Sequence, residues 1–175
     1  MKKLIFSIFF VFIVAFSFIP QAFADSTYVL PYPSVMPGGI SYKIYNLWQD
    51  ILKYWYFGNF GQFTYNLKES DRFLVQAKTL FEYKQYLLGF QALQQSNAYF
   101  IKIKPYLLAA KNEGKDISPK QNLLHEAALK HIEVLNALKK EVPQTFLWQP
   151  EKTTATNLNI EDVINQSIRM RQLDL

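Results

Sequence analysis

The sequence contains no cysteine among its 175 residues. This absence excludes a disulfide, a thiolate nucleophile and a cysteine-ligated zinc site, so the fold must be stabilised by packing. Histidine is scarce, with two residues, and glycine contributes only six. Half of the residues are hydrophobic and 17% are aromatic, which is far from the composition of a disordered chain.

The sequence also lacks a strong excess of charge of either sign. It carries 19 basic and 14 acidic residues, and its lysines are scattered rather than clustered. Nucleic-acid-binding proteins concentrate basic residues on one face or along one helix. We therefore expect no nucleic-acid partner and only weak attraction to anionic polymers of the cell envelope.

The first 24 residues have the pattern of a secretion signal. Met1-Lys2-Lys3 precedes an uncharged apolar run over residues 4–19, and Ala22-Phe23-Ala24 matches a small-residue cleavage site. We expect cleavage after Ala24 and export to the periplasm or the exterior. The alternative is an uncleaved anchor, because the run approaches the roughly 18 residues of a spanning helix. Membrane contact is expected only through this segment, and only if it is uncleaved.

A strap rich in proline and glycine follows at residues 25–40. Pro31, Pro33 and Pro37 have fixed φ angles and donate no backbone hydrogen bond, so this segment is predicted to be extended. Gly38-Gly39 then permits a turn into the first helix. The strap leads into a helical domain at residues 41–142.

Hydrophobic periodicity predicts an all-α fold, an antiparallel bundle of four main helices with short connections. The Gly58–Gly61 segment is predicted to be a turn, and Pro105 to kink or break the third helix. Ser118, Pro119 and Gln121 form a capping-box pattern. The predicted helices are Ser41–Phe57, Gln62–Glu82, Tyr83–Asn112 and one from Ser118 that ends before Val142.

The amphipathic patterns also predict which residues line the core. Residues 143–175 are predicted to be a linker and tail with a short helix, Ile160–Arg171, capped by Asn159. No stretch shows sustained strand alternation. The predicted seam of the bundle consists of Leu47, Trp48, Ile51, Trp55, Leu67, Leu74, Phe90, Leu93, Leu124 and Leu135.

Several segments together resemble a bacterial family of exported, all-helical domains of unknown function. The opening YVLPYPSVMPGGISYKIYNLWQDI is similar to that family's Leu-Pro and Pro-Gly strap, and NLKESDRFLVQAKTL is similar to its Arg-containing helix, with Arg72 at the Arg position. The resemblance also takes in YKQYLLGFQALQQ and NEGKD, and it spans Tyr28 to Val142. Gln76 stands where Glu is usual, and Gly58–Gly61 replaces the usual Phe-Asp-Pro-Glu-like turn. The resemblance implies a fold and a compartment but no activity.

A second resemblance is to a repeat scaffold. Residues 77–93 are similar to the helix-turn-helix junction of a tetratricopeptide repeat, but only one copy is present. Because repeat arrays need about three copies for stability, a single bundle is the favoured interpretation.

The usual catalytic and metal-binding patterns are missing from the sequence. His125 and His131 are six residues apart and do not share a helix face, which favours ordinary surface or flank histidines. Asp71 next to Arg72 is interpreted as a solvated charge pair. We expect no cofactor, no metal and no enzymatic activity. A carboxylate-based hydrolase of envelope polymers stays an alternative, and its residues would come from Glu69, Glu82, Glu126 and Glu133.

Aromatic residues give the remaining functional signal. Tyr42, Tyr45, Tyr54 and Tyr56 lie in the first predicted helix and are the candidate interaction surface, although the preferred interpretation is that they frame the core. We expect a non-catalytic interaction or scaffold module of the cell envelope whose partner is another envelope protein. The alternative is a module that binds envelope glycans.

Overall fold

The computed structural model describes residues 27–33, 35–37, 40–152 and 154–175. The predicted signal peptide and Gly38-Gly39 lie outside the described residues. The all-α class is confirmed, with one small sheet added to it. In chain order the elements are α1 (Ile40–Leu52), a 3-10 turn (Lys53–Trp55), α2 (Gly58–Glu82), α3 (Tyr86–Phe100), α4 (Ile103–Asn112), α5 (Ser118–Glu141), β1 (Thr145–Trp148), β2 (Thr156–Asn159) and α6 (Ile160–Gln172).

Helix α2 lies at the centre of the fold. It packs against α3, α4 and α5, and it is buried over most of its length. One apolar cluster joins its C-terminal half to α3, α5 and α6, and includes Leu74, Leu93, Leu135 and Ile164. A second cluster joins its N-terminal half to α4 and α5 through Phe63. These two clusters hold α2, α3, α4, α5 and α6 together.

The segment predicted to be a linker and tail is part of this core. Ile160, Val163 and Ile164 of α6 are buried, and α6 packs against α5 and α3. Before α6, Thr145–Trp148 pairs antiparallel with Thr156–Asn159. Neither TFLW nor TNLN alternates strictly between apolar and polar residues, which is why this hairpin was not predicted. The predicted helix and its cap are confirmed, because the Asn159 side chain accepts a hydrogen bond from the Asp162 backbone N–H.

The N-terminal regions of α2, α3 and α5 differ from the prediction, and α3 begins at Tyr86 instead of Tyr83. Helix α2 begins at Gly58, so the predicted Gly58–Gly61 turn is instead the first turn of the helix. Gly58 has φ 66°, a left-handed value that glycine adopts without strain. The capping box at α5 is also wrong: the Asp116 carboxylate accepts the Ser118 N–H at 3.0 Å, and Ser118 is already helical.

The break predicted near Pro105 is confirmed. The chain turns at Ile101 and Lys102, and α4 begins at Ile103, so Pro105 is the third residue of a new helix. There its missing N–H has no partner to lose, because the first four N–H groups of a helix are unpaired within it.

Helix α1 is oriented opposite to the prediction. Leu47, Trp48, Ile51 and Trp55, predicted to line the seam, are exposed, with Trp55 at 72%. Gln49 of the same helix is buried instead. The remaining seam residues Leu67, Leu74, Leu93, Leu124 and Leu135 are buried as predicted, and Phe90 is half-buried.

Candidate functional site

The first candidate site is the outward face of α1. Its apolar residues recur at helical spacing and therefore share one face. All of them are exposed, with fractions between 45% and 78% within α1. We call this surface the outer face; it consists of Ile40, Ile44, Leu47, Trp48 and Ile51, continued by Trp55 of the 3-10 turn.

Polar contacts hold the opposite side of α1 against the bundle. Asn46 Oδ1 accepts a hydrogen bond from the Arg72 guanidinium at 3.3 Å, and the Gln49 carbonyl accepts one from the Tyr65 hydroxyl, also at 3.3 Å. The Arg72 guanidinium also lies over the Tyr45 ring, 5.5 Å from its centroid. These contacts, one to the Asn46 side chain and one to the Gln49 backbone carbonyl, lie on the inward side of α1, and the apolar side points outward.

The four tyrosines of the predicted interaction surface are divided between different environments. Tyr42 and Tyr45 are half-buried, Tyr54 is exposed, and Tyr56 packs against the Tyr65 ring at 5.5 Å. Only Tyr54 is therefore as accessible as the outer face. Aromatic contacts from this part of the chain are available mainly through Trp48, Tyr54 and Trp55.

The second candidate is a buried polar network at the centre of the bundle. Asp71 Oδ1 lies 2.7 Å from His131 Nε2, and His131 Nδ1 accepts a hydrogen bond from Arg171 Nε at 2.9 Å. His131 and Arg171 are fully buried. The network thus joins α2, α5 and α6 through charged and ionisable side chains.

The protonation state of His131 follows from its two partners. Arg171 Nε–H can only donate, so Nδ1 must carry a lone pair and the ring proton must be on Nε2, where it donates to Asp71. Burial lowers the pKa of His131; the bond to Asp71 opposes this shift, and the charge on Arg171 reinforces it. His131 is therefore neutral at pH 7.

The Arg171 guanidinium donates four buried hydrogen bonds. Besides His131, it donates to Asn97 Oδ1 at 2.8 Å, the Ser167 carbonyl at 2.9 Å and Ser96 Oγ at 2.9 Å. It also stacks over Phe100, with its carbon 4.7 Å from the ring centroid. Burial lowers the pKa of Arg171, and Asp71 opposes the shift as its counter-ion. This cage shows that the buried charge is compensated by the fold.

The strap is attached to the same network. The Tyr28 hydroxyl donates to Asp71 Oδ2 at 2.5 Å, while Asp71 Oδ1 faces His131. Burial and the neighbouring Asp71 carboxylate raise the pKa of Tyr28, so its phenol stays protonated and remains a donor. The predicted strap therefore lies against α2 through a specific polar contact.

A separate buried ion pair anchors α1. Glu69 Oε2 accepts two hydrogen bonds from the Arg72 guanidinium, at 3.0 Å from Nε and 2.6 Å from Nη2. Both side chains are buried, and Arg72 also stacks over Phe73 at 4.0 Å. The Arg72 side chain, predicted to form a solvated pair with Asp71, is instead bound by Glu69.

The carboxylates proposed for a hydrolase are in different environments. Glu69 is bound by Arg72, and the exposed Glu82 is paired with Lys78. Glu133 is paired with Lys130, and Glu126 is half-buried on α5. His125 is half-buried on the same helix. Glu69, Glu82 and Glu133 are thus paired with three different cations, Arg72, Lys78 and Lys130.

Across the described part of the chain, no group of three or more acidic or histidine side chains has the arrangement of a metal site. No described helix is both long and apolar enough to cross a membrane.

Comparison with known proteins identifies no relative. No family model, no curated protein and no solved structure matches this chain. The resemblance to exported helical domains therefore stays a prediction.

Proposed function

We propose that this chain is a non-catalytic, exported interaction module of the cell envelope, and that it binds its partner through the outer face of α1. Export is inferred from the signal pattern of residues 1–24. The main support for binding through this face is the orientation of α1, which exposes its apolar side to solvent.

An exposed face of this kind has an energetic cost in an isolated domain. Each large apolar side chain gains roughly 1.5–3 kcal/mol when it is fully buried, and the outer face forgoes that gain. Contiguous exposed apolar surfaces on soluble proteins commonly mark binding sites. Binding of a partner would bury the outer face and recover that free energy.

The buried network supports a structural role rather than catalysis. His131 and Arg171 are fully buried, so a substrate has no access to His131, which has a charged partner on each ring nitrogen. The hydrogen bonds between α2, α3, α5 and α6 fix the relative positions of these helices. The bundle is therefore a rigid support for α1.

A glycan partner is the second candidate, and the exposed aromatic rings favour it. Trp48, Tyr54 and Trp55 are all more than half exposed, and flat aromatic surfaces can pack against sugar rings. This candidate uses the same surface, so the same variants test it.

The experiment measures sedimentation with envelope fragments. The chain from Asp25 contains every described element, and its helix content can be checked by circular dichroism. We define the outer-face variant as Leu47→Gln, Trp48→Gln and Ile51→Gln together. The control variant is Ile101→Gln, Leu108→Gln and Leu123→Gln, which removes three exposed apolar residues from the α3–α4 turn, α4 and α5.

We expect the control variant to bind envelope fragments as the parent chain does, and the outer-face variant to lose at least about tenfold in affinity, because each buried apolar side chain contributes more than 1 kcal/mol. Equal binding by the two variants would refute the proposed function.

A further inference from the structure

We infer that the partner of the outer face is the surface of an anionic phospholipid bilayer, on which α1 lies parallel to the membrane plane. This inference rests on the proposed function and names its partner. It differs from the sequence-based expectation of a protein partner, and it places membrane contact at α1 rather than at the signal segment.

The composition of the surface fits the interfacial region of a bilayer. The outer face combines aliphatic Ile44, Leu47 and Ile51 with Trp48 and Trp55, and the exposed Tyr54 and Phe57 follow it. Tryptophan and tyrosine concentrate at the level of the lipid headgroups, where their rings are partly apolar and partly wet. An amphipathic helix with such a face binds in the interface plane.

The charges of α1 and the 3-10 turn add up to +1, from two lysines and one aspartate, and Lys43 lies at the edge of the outer face. Lys43 and Lys53 are exposed, and Lys43 is one helical turn from Leu47. Asp50 is the only acidic residue in α1 and the 3-10 turn. Without the first 24 residues the chain has 17 basic and 14 acidic residues, so its net charge is +3. Basic residues near a membrane each gain about 1 kcal/mol from anionic headgroups.

The position of α1 in the chain places it near a membrane. Twenty residues separate Ile40 from the end of the apolar run over residues 4–19. A fully extended segment of that length reaches at most about 70 Å, so α1 emerges close to the bilayer that the signal engages. After cleavage at Ala24, the outer face would keep the exported chain on that surface.

The size of α1 limits how it can bind. Its 13 residues are about 20 Å long, which is shorter than the roughly 30 Å hydrocarbon core. The inward side of α1 is also bound to Arg72 and Tyr65 of the bundle. The helix therefore contacts lipid along one side and does not span the bilayer.

The experiment measures binding of the chain from Asp25 to protein-free vesicles of equal parts phosphatidylcholine and phosphatidylglycerol. Sedimentation gives the affinity, and tryptophan emission reports transfer of Trp48 and Trp55 into lipid when Trp148 is replaced by phenylalanine. We expect a blue shift on binding, quenching by brominated lipid, and at least a tenfold loss of affinity for the outer-face variant but not for the control variant.

A lysine variant tests the charge component. We expect Lys43→Gln with Lys53→Gln to reduce affinity for anionic vesicles by about fivefold for each lysine, and to leave the weaker binding to pure phosphatidylcholine unchanged. The matched control is Lys78→Gln with Lys115→Gln, which removes two exposed lysines of α2 and the α4–α5 connection. If both pairs of substitutions reduce the affinity for anionic vesicles equally, Lys43 and Lys53 make no specific contribution to binding.

Native and protease-digested envelope fragments separate the two proposals. Binding to native fragments that depends on the outer face, without binding to vesicles or digested fragments, would overturn the lipid inference and leave the proposed function standing with a protein partner. A dimer that the outer-face variant dissociates, without vesicle binding, would overturn the lipid inference in favour of a second copy. Binding to neither fragments nor vesicles would overturn both.

Discussion

The Nε–H group of Arg171 donates to Nδ1 of His131 at 2.9 Å, so an arginine and a histidine form a direct hydrogen bond inside the bundle. The bond is compatible with a neutral histidine only. It therefore links the stability of the fold to the protonation of one ring.

Removal of Arg171 should destabilise the fold severely. Arg171→Met leaves Asp71 as a buried carboxylate without its counter-ion and removes the donors to Asn97 and Ser96. Breaking a buried charge pair by deleting one partner costs about 3–5 kcal/mol of unfolding free energy. Urea denaturation at pH 7.5 measures the change. Arg169→Met is the control, because Arg169 is exposed on the same helix, and an equal loss from both substitutions would contradict the role of the network.

Stability should fall on acidification below pH 6.5. The pKa of His131 is lowered in the folded state, so the unfolded chain binds the proton more tightly and gains relative stability as the pH drops. For one group the loss is at most about 1.4 kcal/mol per pH unit, between pH 6.5 and the lowered pKa of the folded state. Above pH 6.5 His131 is neutral in both the folded and the unfolded chain, so its full contribution to the unfolding free energy is present.

Urea midpoints at a series of pH values between 5 and 8 measure this dependence. Glutamine at position 131 supplies a neutral donor and acceptor, so His131→Gln should remove the His131 component of the slope. His125→Gln should retain it, because the half-buried His125 is outside the Asp71–Arg171 network. If the urea midpoint of His131→Gln still falls steeply with decreasing pH, the pH dependence of stability would belong to another ionisable group.

Tyr28→Phe should release the strap from the bundle. The substitution removes the hydroxyl that donates to Asp71 and keeps the ring. A hydrogen bond to a charged group contributes about 1.5–3 kcal/mol, so a loss in that range is expected in urea denaturation. Amide exchange over residues 27–37 should accelerate. Tyr32→Phe is the control, because Tyr32 is 93% exposed. Faster amide exchange in both variants would argue against a specific contact between Tyr28 and Asp71.

Truncation of either tryptophan of the outer face should have little effect on stability. Trp48→Ala and Trp55→Ala should each change the unfolding free energy by less than about 0.5 kcal/mol, as is usual for surface positions. Phe63→Ala, at a fully buried position, should cost about 3–5 kcal/mol. Losses of that size at Trp48 and Trp55 would show that these rings are buried and would remove the basis of the proposed function.

The helices were largely predictable because their signals are local. Pro105 and Asn159 act on the backbone within a few residues, and both acted where the sequence indicated. Helix starts were less accurate at Gly58, because its positive φ can serve a turn or the first residue of a helix.

The orientation of α1 could not be read from its own sequence. Periodicity shows that Leu47 and Ile51 share a face, but it does not show whether that face meets the bundle. The orientation of α1 is set by the Arg72 guanidinium and the Tyr65 hydroxyl, which donate hydrogen bonds to its other side. The expectation that the apolar side of a helix faces inward fails here, because polar groups of the other helices bind the opposite side of α1.

The buried network was missed for a different reason. His131 is 60 residues from Asp71 and 40 from Arg171, so no local spacing connects them. The only hint available was the position of His131 near the predicted apolar face of its helix, next to Leu135. The sequence suggested that α6 belongs to a tail. In the structure α6 packs against the other helices and brings Arg171 to His131.

The separation of α1 into a structural side and an outer face has an evolutionary consequence. Substitutions at positions 40, 44, 47 and 51 are almost free of folding constraint, because those side chains contribute little to the core. Drift alone would replace them with polar residues, which suit solvent better. If related sequences keep isoleucine, leucine or tryptophan at these positions, that conservation would reflect selection for binding. Selection for folding stability would not explain it, because these side chains contribute little to the core.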